Sequence, residues 1–323
     1  MLSTFAVTFP FFALVLCGFL ATLCKVLPIN AIAGLNSFVL FFALPCMLFR
    51  FGAQTPLHQL LDPVAAIVYL LCGLLVVMTT VALTLRRWGW NDTAFGALVA
   101  AFPNSGFMGV PLLVALLGEA SAGAVILTVI LDMVVTTSLC IALSRLGLRE
   151  GGAWRTLRLS LKSMALNPMP WAIALGALAS WLVMELPGPL HRTVTMLADA
   201  ASPVALFAIG AVLARSQMEP RDASVVNQGT VLMASDYVGV ALIKLLLHPL
   251  LLWLACLAVV QMGGDLSPLT MTALVLVAAL PSASNVSLLA ERFDAHSGRI
   301  ARIILVSTTL AFVSFSTAVA LLV

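Results

Sequence analysis

Residues 99–117 read VAAFPNSGFMGVPLLVALL. The apolar length suits a membrane span, yet Pro103, Asn104, Ser105, Gly106, Gly109 and Pro111 crowd into nine residues at its middle. Pro103 has no N–H for the carbonyl of Val99, and Pro111 has none for that of Phe107. A proline inside a helix costs roughly 3 kcal/mol in water. In hydrocarbon no water takes up the freed carbonyls, so irregular backbone survives only where protein buries it or where it lines a cavity. The stretch is therefore expected to be a discontinuous transmembrane helix, the usual seat of a solute site in secondary carriers. Such sites use two breaks, so a partner is expected elsewhere in the chain.

The remainder of the chain supplies an apolar setting. Of 323 residues, 62% are hydrophobic and 9% charged, and the mean hydropathy is +1.13. That excludes an ordinary soluble globule and leaves enough apolar sequence for about ten spans of about 20 residues. They fall at roughly 5–26, 31–50, 63–85, 93–117, 121–144, 166–185, 194–214, 234–260, 268–290 and 298–321. The opening MLSTFAVTF has no basic residue before its apolar run, which argues for a first span that stays rather than a cleaved signal. Cys17, Cys24, Cys46, Cys72, Cys140 and Cys256 are scattered through apolar runs with no CxxC or Cys/His cluster, so neither disulfides nor a metal site is expected.

Alternate loops between these spans differ sharply in charge. One side carries thirteen Lys and Arg: Lys25, Arg86, Arg87, Arg145, Arg149, Arg155, Arg158, Lys162, Arg215, Arg221, Arg292, Arg299 and Arg302. The other carries two, Arg50 and Arg192, and Lys244 lies inside a span. The positive-inside rule places both termini outside and the 145–165 loop in the cytoplasm. Within that loop Trp154, Leu157 and Leu161 share one helical face while Arg155, Arg158 and Lys162 share another. It is either an interfacial helix on anionic lipid or a plain basic topogenic loop. Nothing in it suggests a nucleic-acid partner.

The central basic loop divides ten spans into two fives, and because five is odd the second half must be inverted. Span four opens Ala100-Ala101-Phe102-Pro103-Asn104-Ser105, and span nine opens Ala278-Ala279-Leu280-Pro281-Ser282-Ala283-Ser284-Asn285. The partner break therefore sits in the corresponding position of the other half. The expected fold is an all-α polytopic membrane protein. Residues 1–145 form the first five-helix repeat, 146–165 a cytoplasmic loop, and 166–323 the second, inverted repeat.

FPNSGFMGVPLL (102–113), AALPSASNVSLLAERF (278–293) and LIKLLLHPLL (242–251) resemble spans four, nine and eight of the auxin efflux carrier family, in its bacterial malate/malonate permease-like branch. The resemblance extends over the whole ten-span layout and is most specific in span four. It implies the inverted repeat of bile-acid-symporter-like and sodium/proton-antiporter-like carriers, with broken helices four and nine. It also implies an elevator-type motion and a homodimer. Span nine is richer in Ser and Asn than the plant pattern, so plant substrate specificity does not carry over.

At a helix break the N–H groups of the following half-helix stay unpaired and behave like about +0.5 charge, which suits a carboxylate. Asn104 offers donors and acceptors directly after Pro103, and the resemblance makes it a substrate contact; otherwise it satisfies freed backbone. Ser105, Ser282, Ser284 and Asn285, beside Pro103 and Pro281, fit either role. Asp132 lies mid-span, where a charge costs roughly 2.5–3.5 kcal/mol on insertion scales, so a functional reading is the default. It either carries a coupling proton or pairs with Lys244, also mid-span. His248 follows Lys244 by one turn and titrates near physiological pH in water, or is a packing histidine. Asp199 and Asp236 read as span-start or interfacial groups.

The function these residues support is a secondary carrier for a small organic anion, a mono- or dicarboxylate, in the cytoplasmic membrane. It needs no cofactor and couples to a proton or sodium gradient if it couples at all. GxxxxGK[ST] is absent, so ATP is not the direct energy source. A sodium/proton-type cation carrier on the same fold usually needs clustered intramembrane carboxylates, and Asp132 is the only clear one. An intramembrane hydrolase has Asp132, His248 and serines available but neither a nucleophile elbow nor HExxH. A channel or sensor is a further alternative.

Overall fold

The computed structural model describes residues 2–54, 62–146, 168–184, 186–218 and 232–323. Most of the basic 145–165 loop, including its candidate interfacial helix, lies outside the described residues. All regular elements within them are helical. In order they are α1 (Leu2–Leu23), α2 (Ala31–Gln54), α3 (Pro63–Ala101), α4 (Ser105–Leu117), α5 (Glu119–Ser144), α6 (Pro168–Trp181), α7 (Gly188–Met218), α8 (Ser235–Gln261), α9 (Pro268–Ala279), α10 (Asn285–Arg292) and α11 (Ser297–Leu322).

Six of these, α2, α3, α5, α7, α8 and α11, are long and apolar enough to cross a membrane. The number is smaller than ten for local reasons. α3 runs through two expected spans, with its axis turned at Gly89, where φ is +67°, a value glycine adopts at no steric cost. The expected fourth and ninth spans are cut at Pro103 and Pro281, leaving the short apolar helices α4 and α9. Start signals follow the usual chemistry. Ser267 caps α9 by accepting the Thr270 N–H at 3.1 Å, and Pro268 fills a first-turn position whose missing N–H costs nothing.

The chain divides into two compact units, with boundaries between Ser105 and Gly106 and between Leu127 and Thr128, so both α4 and α5 are shared. The first unit comprises Met1–Asp62, Gly106–Leu127 and Asn167–Glu219. Here α1 lies along α7, and α2 packs on α6 and α7. Small residues set these contacts. A Cβ on Gly18 would collide with the Phe207 carbonyl, and one on Gly210 with that of Val15. Gly52 faces the Ile173 carbonyl in the same way, so α2 meets α6 backbone to backbone. In lipid, where apolar burial drives nothing, such close approach is what holds helices together. Asp199 is not at a helix start, since α7 begins at Gly188; its carboxylate pairs with Arg50 at 2.6 Å. A cavity of about 480 Å³ opens beside that pair, lined by Arg50, Gln54, Met184, His191 and Arg192 among others.

The second unit comprises Pro63–Ser105, Thr128–Leu166 and Pro220–Val323. At its centre residues 93–105 and 273–283 are buried without interruption. Helices enclosed on all sides need no polar face, and Ala94–Ala101 and Ala273–Ala279 have none. α8 packs on α9 and α3, and α11 packs on α8 and α9. One end is tied by a guanidinium. Arg299 is fully buried, although the charge pattern alone assigns it to a basic loop. It donates to the carbonyls of Asp92 and Asp236, each at 3.0 Å, and lies 4.8 Å over the Trp88 ring. Asp236, in the first turn of α8, pairs with Arg87 at 2.8 Å and accepts the Trp88 indole N–H at 3.3 Å.

Gly210→Leu is expected to destabilise the first unit by about 1–3 kcal/mol or more through overpacking. Gly34→Ala, where a Cβ meets nothing within 4 Å, should be neutral. Melting temperatures of the two purified variants check this.

Candidate functional site

The expected breaks at Pro103 and Pro281 are both present, in the second unit, and each supplies what the other lacks. α3 ends at Ala101 and α9 at Ala279 because neither proline can continue the ladder. The Asn104 N–H donates to the Pro281 carbonyl at 2.8 Å, and the Ala283 N–H donates to the Phe102 carbonyl at 3.0 Å. The pair forms an isolated antiparallel bridge between Pro103 and Ser282. The Ser282 N–H is taken by the Ser307 hydroxyl of α11 at 3.2 Å. The freed backbone is thus satisfied largely by backbone.

The side chains at the crossing are consequently not consumed in that task. Asn104 Oδ1, Ser282 Oγ and Asn285 Oδ1 are enclosed and have no hydrogen-bond partner. Asn104 is 3% and Ser282 1% exposed. Leaving a buried polar group unsatisfied costs about 1–3 kcal/mol, and three such oxygens lie at this crossing. Ser105 behaves differently: its hydroxyl lies 3.4 Å from the Pro103 carbonyl. At Ser284 it is the backbone carbonyl that is used, accepting the Ser287 hydroxyl at 2.8 Å.

Asp132 and Lys244 are fully buried but do not pair directly. Asp132 Oδ2 accepts the Tyr69 hydroxyl at 2.6 Å, and Oδ1 accepts the Thr136 hydroxyl at 3.1 Å. Lys244 Nζ donates to the Ala278 carbonyl at 2.7 Å and lies 3.2 Å from His248 Nδ1. His248 is buried beside Tyr69, with ring centroids 6.0 Å apart, and its Nε2 has no partner. The two charged residues sit in five-residue π-helical turns, Asp132–Thr136 and Ile243–Leu247. Such a turn departs from the α-helical ladder; the Asp132 carbonyl accepts the Thr137 N–H and also the Thr137 hydroxyl at 2.7 Å.

Sequence reasoning missed Tyr69 and Thr136. The available signal was that Tyr69 is one of two tyrosines and lies mid-span, where its hydroxyl requires a partner. The π turns carry no sequence mark.

A family model described as "Membrane transport protein" matches residues 4–319. The chain is 29% identical over 306 residues to a protein of Rhizobium meliloti (strain 1021) named "Putative malonate transporter", covering 94% of this chain and 90% of that one. It is 27% identical over 208 residues to "Uncharacterized transporter YfdV" of Escherichia coli (strain K12), covering 64% of this chain and 60% of that one.

Tyr69→Phe is expected to lower stability by roughly 1–3 kcal/mol, because Asp132 Oδ2 loses its donor. Combined with Asp132→Asn, the double variant should lose less than the sum of the singles, as coupled partners do. Melting curves of the three variants check both expectations.

Proposed function

Because the chain belongs to the membrane transport protein family, the auxin efflux carrier family that its fourth span resembles, we propose that it is a secondary carrier for a small organic anion. The anion is a mono- or dicarboxylate of the malonate or malate kind, and the membrane is the cytoplasmic one. The observation that carries this reading is the set of enclosed, partnerless polar atoms at the crossing: Asn104 Oδ1, Ser282 Oγ and Asn285 Oδ1. Of these atoms the Ser282 hydroxyl can donate to a carboxylate, the amide oxygens of Asn104 and Asn285 can accept from a hydroxyl or protonated carboxyl of the same solute, and α10 adds the positive end of its dipole. The name of the Rhizobium relative supports the choice of dicarboxylate.

In this reading ten spans form two inverted five-helix repeats, residues 1–145 and 166–323, with both termini outside. The second compact unit, which holds both breaks, is the part that moves in an elevator-like manner, within a homodimer. Asn104 and Ser282 hold the solute, with Asn285 beside them. Asp132, held by Tyr69 and Thr136, takes up and releases the coupling proton, and His248 lies next to that route.

Counterflow of labelled malonate, malate, succinate and indole-3-acetate in proteoliposomes tests the proposal, with and without a pH or sodium gradient. Saturable dicarboxylate uptake is expected. Asn104→Ala should reduce it about tenfold or more, the equivalent of a hydrogen bond to a charged group worth about 1.5–3 kcal/mol. Asp132→Asn should abolish the acceleration by a proton gradient while leaving exchange. Carboxylates that fail while sodium/proton exchange appears would overturn the proposal in favour of a cation carrier.

A further inference from the structure

Positive charge is scarce on one side of this chain. Of the sixteen Lys and Arg, the alternation of loops leaves only Arg50 and Arg192 opposite the basic side. Both line the cavity of about 480 Å³ in the first unit. Arg50 reaches it from near the end of α2, and Arg192 from near the start of α7. Cations on that side work against the insertion bias, so two gathered round one cavity call for a reason.

Packing supplies only part of it. Arg50 Nη1 donates to Asp199 at 2.6 Å, which uses one of the five guanidinium N–H donors. Among the described residues the side chains of His191 and Arg192 make no hydrogen bond or ion pair, and both line the same cavity. None of the described lining residues is acidic. Asp199 offsets one guanidinium, so the wall keeps a positive charge. Forked guanidinium donors match the oxygens of a phosphate two at a time.

The rest of the lining points to the kind of phosphate. Phe49, Met184, Leu186 and Val194 make much of the wall apolar, and a small free anion gives up water against such groups without return. The rim continues into apolar surface where α6 ends. Trp181, Leu182, Val183 and Met184 are all exposed, Trp181 by 68% and Val183 by 86%. An exposed apolar run that begins with a tryptophan suits the boundary between headgroups and acyl chains. A ligand that meets a cationic wall and an apolar rim at that level carries a charged head and a hydrocarbon tail.

We propose that this cavity binds one anionic phospholipid, its phosphate between Arg50 and Arg192 with His191 beside them, and its acyl chains along residues 181–184. The site is independent of the transported solute. Its leaflet, the outer one, follows from the orientation proposed above.

Native mass spectrometry of the purified full chain in neutral detergent tests it, with dioleoylphosphatidylglycerol, dioleoylphosphatidylcholine, inorganic phosphate and malonate as probes. One phosphatidylglycerol adduct should persist at concentrations where phosphatidylcholine gives none. Arg192→Gln changes an exposed side chain, leaves the fold intact and should weaken that adduct about tenfold, the loss of one hydrogen-bonded charge. Arg50→Gln should do the same. Asp199→Asn, which returns a donor to Arg50, should strengthen it severalfold. Arg86→Gln, on the basic side, should leave it unchanged, which separates this site from loose attraction of lipid to the other cations. An adduct that survives Arg192→Gln undiminished overturns the proposal, as does equal retention of phosphatidylcholine. Displacement by millimolar phosphate or malonate also overturns it, and makes the cavity a site for a small solute instead.

Discussion

Unpaired backbone has no place in hydrocarbon, and that constraint governs the second unit. Two prolines interrupt two helices, and the interruption survives because each break hands its peptide groups to the other. Asn104 donates to Pro281 and Ala283 to Phe102, over 2.8 and 3.0 Å. Either break alone would leave these groups without partners, at several kcal/mol each in a lipid interior. The unbroken burial of residues 93–105 and 273–283 follows from the same need. The helices around them exclude lipid from backbone that lipid cannot solvate.

Satisfying backbone with backbone has a chemical consequence. Side chains next to a break can repair it; here the hydroxyls of Ser105 and Ser287 bond to backbone carbonyls, while Asn104, Ser282 and Asn285 keep oxygens without partners. The charged residues follow a related logic. Asp132 and Lys244 make no direct bond, and each is held by neutral groups: two hydroxyls for Asp132, a helix-end carbonyl and an imidazole for Lys244.

The first unit is built on a different principle. Gly18, Gly210 and Gly52 bring helix backbones into contact, so the packing there is dispersive and tight. The Arg50–Asp199 pair is partly exposed, and such pairs contribute about 0–1 kcal/mol. In the second unit Arg299, Trp88 and Asp236 instead tie three helices at one end through buried hydrogen bonds.

The sequence alone determined that the chain is helical and membrane-embedded, because hydropathy and proline chemistry act locally. It also placed the two breaks, since a proline without an N–H ends a ladder in any context. It singled out Asp132, Lys244 and His248, because ionisable residues in apolar runs are costly enough to need a reason. Which partners those residues take was decided only by the tertiary structure. Tyr69 lies 63 positions from Asp132 and Ala278 lies 34 from Lys244, and no periodicity reaches that far. The same distance hid the burial of Arg299, which reads as a loop cation until Asp92, Trp88 and Asp236 close around it. A residue's cost in the membrane is written in the sequence; the group that offsets the cost is a matter of which helices pack together.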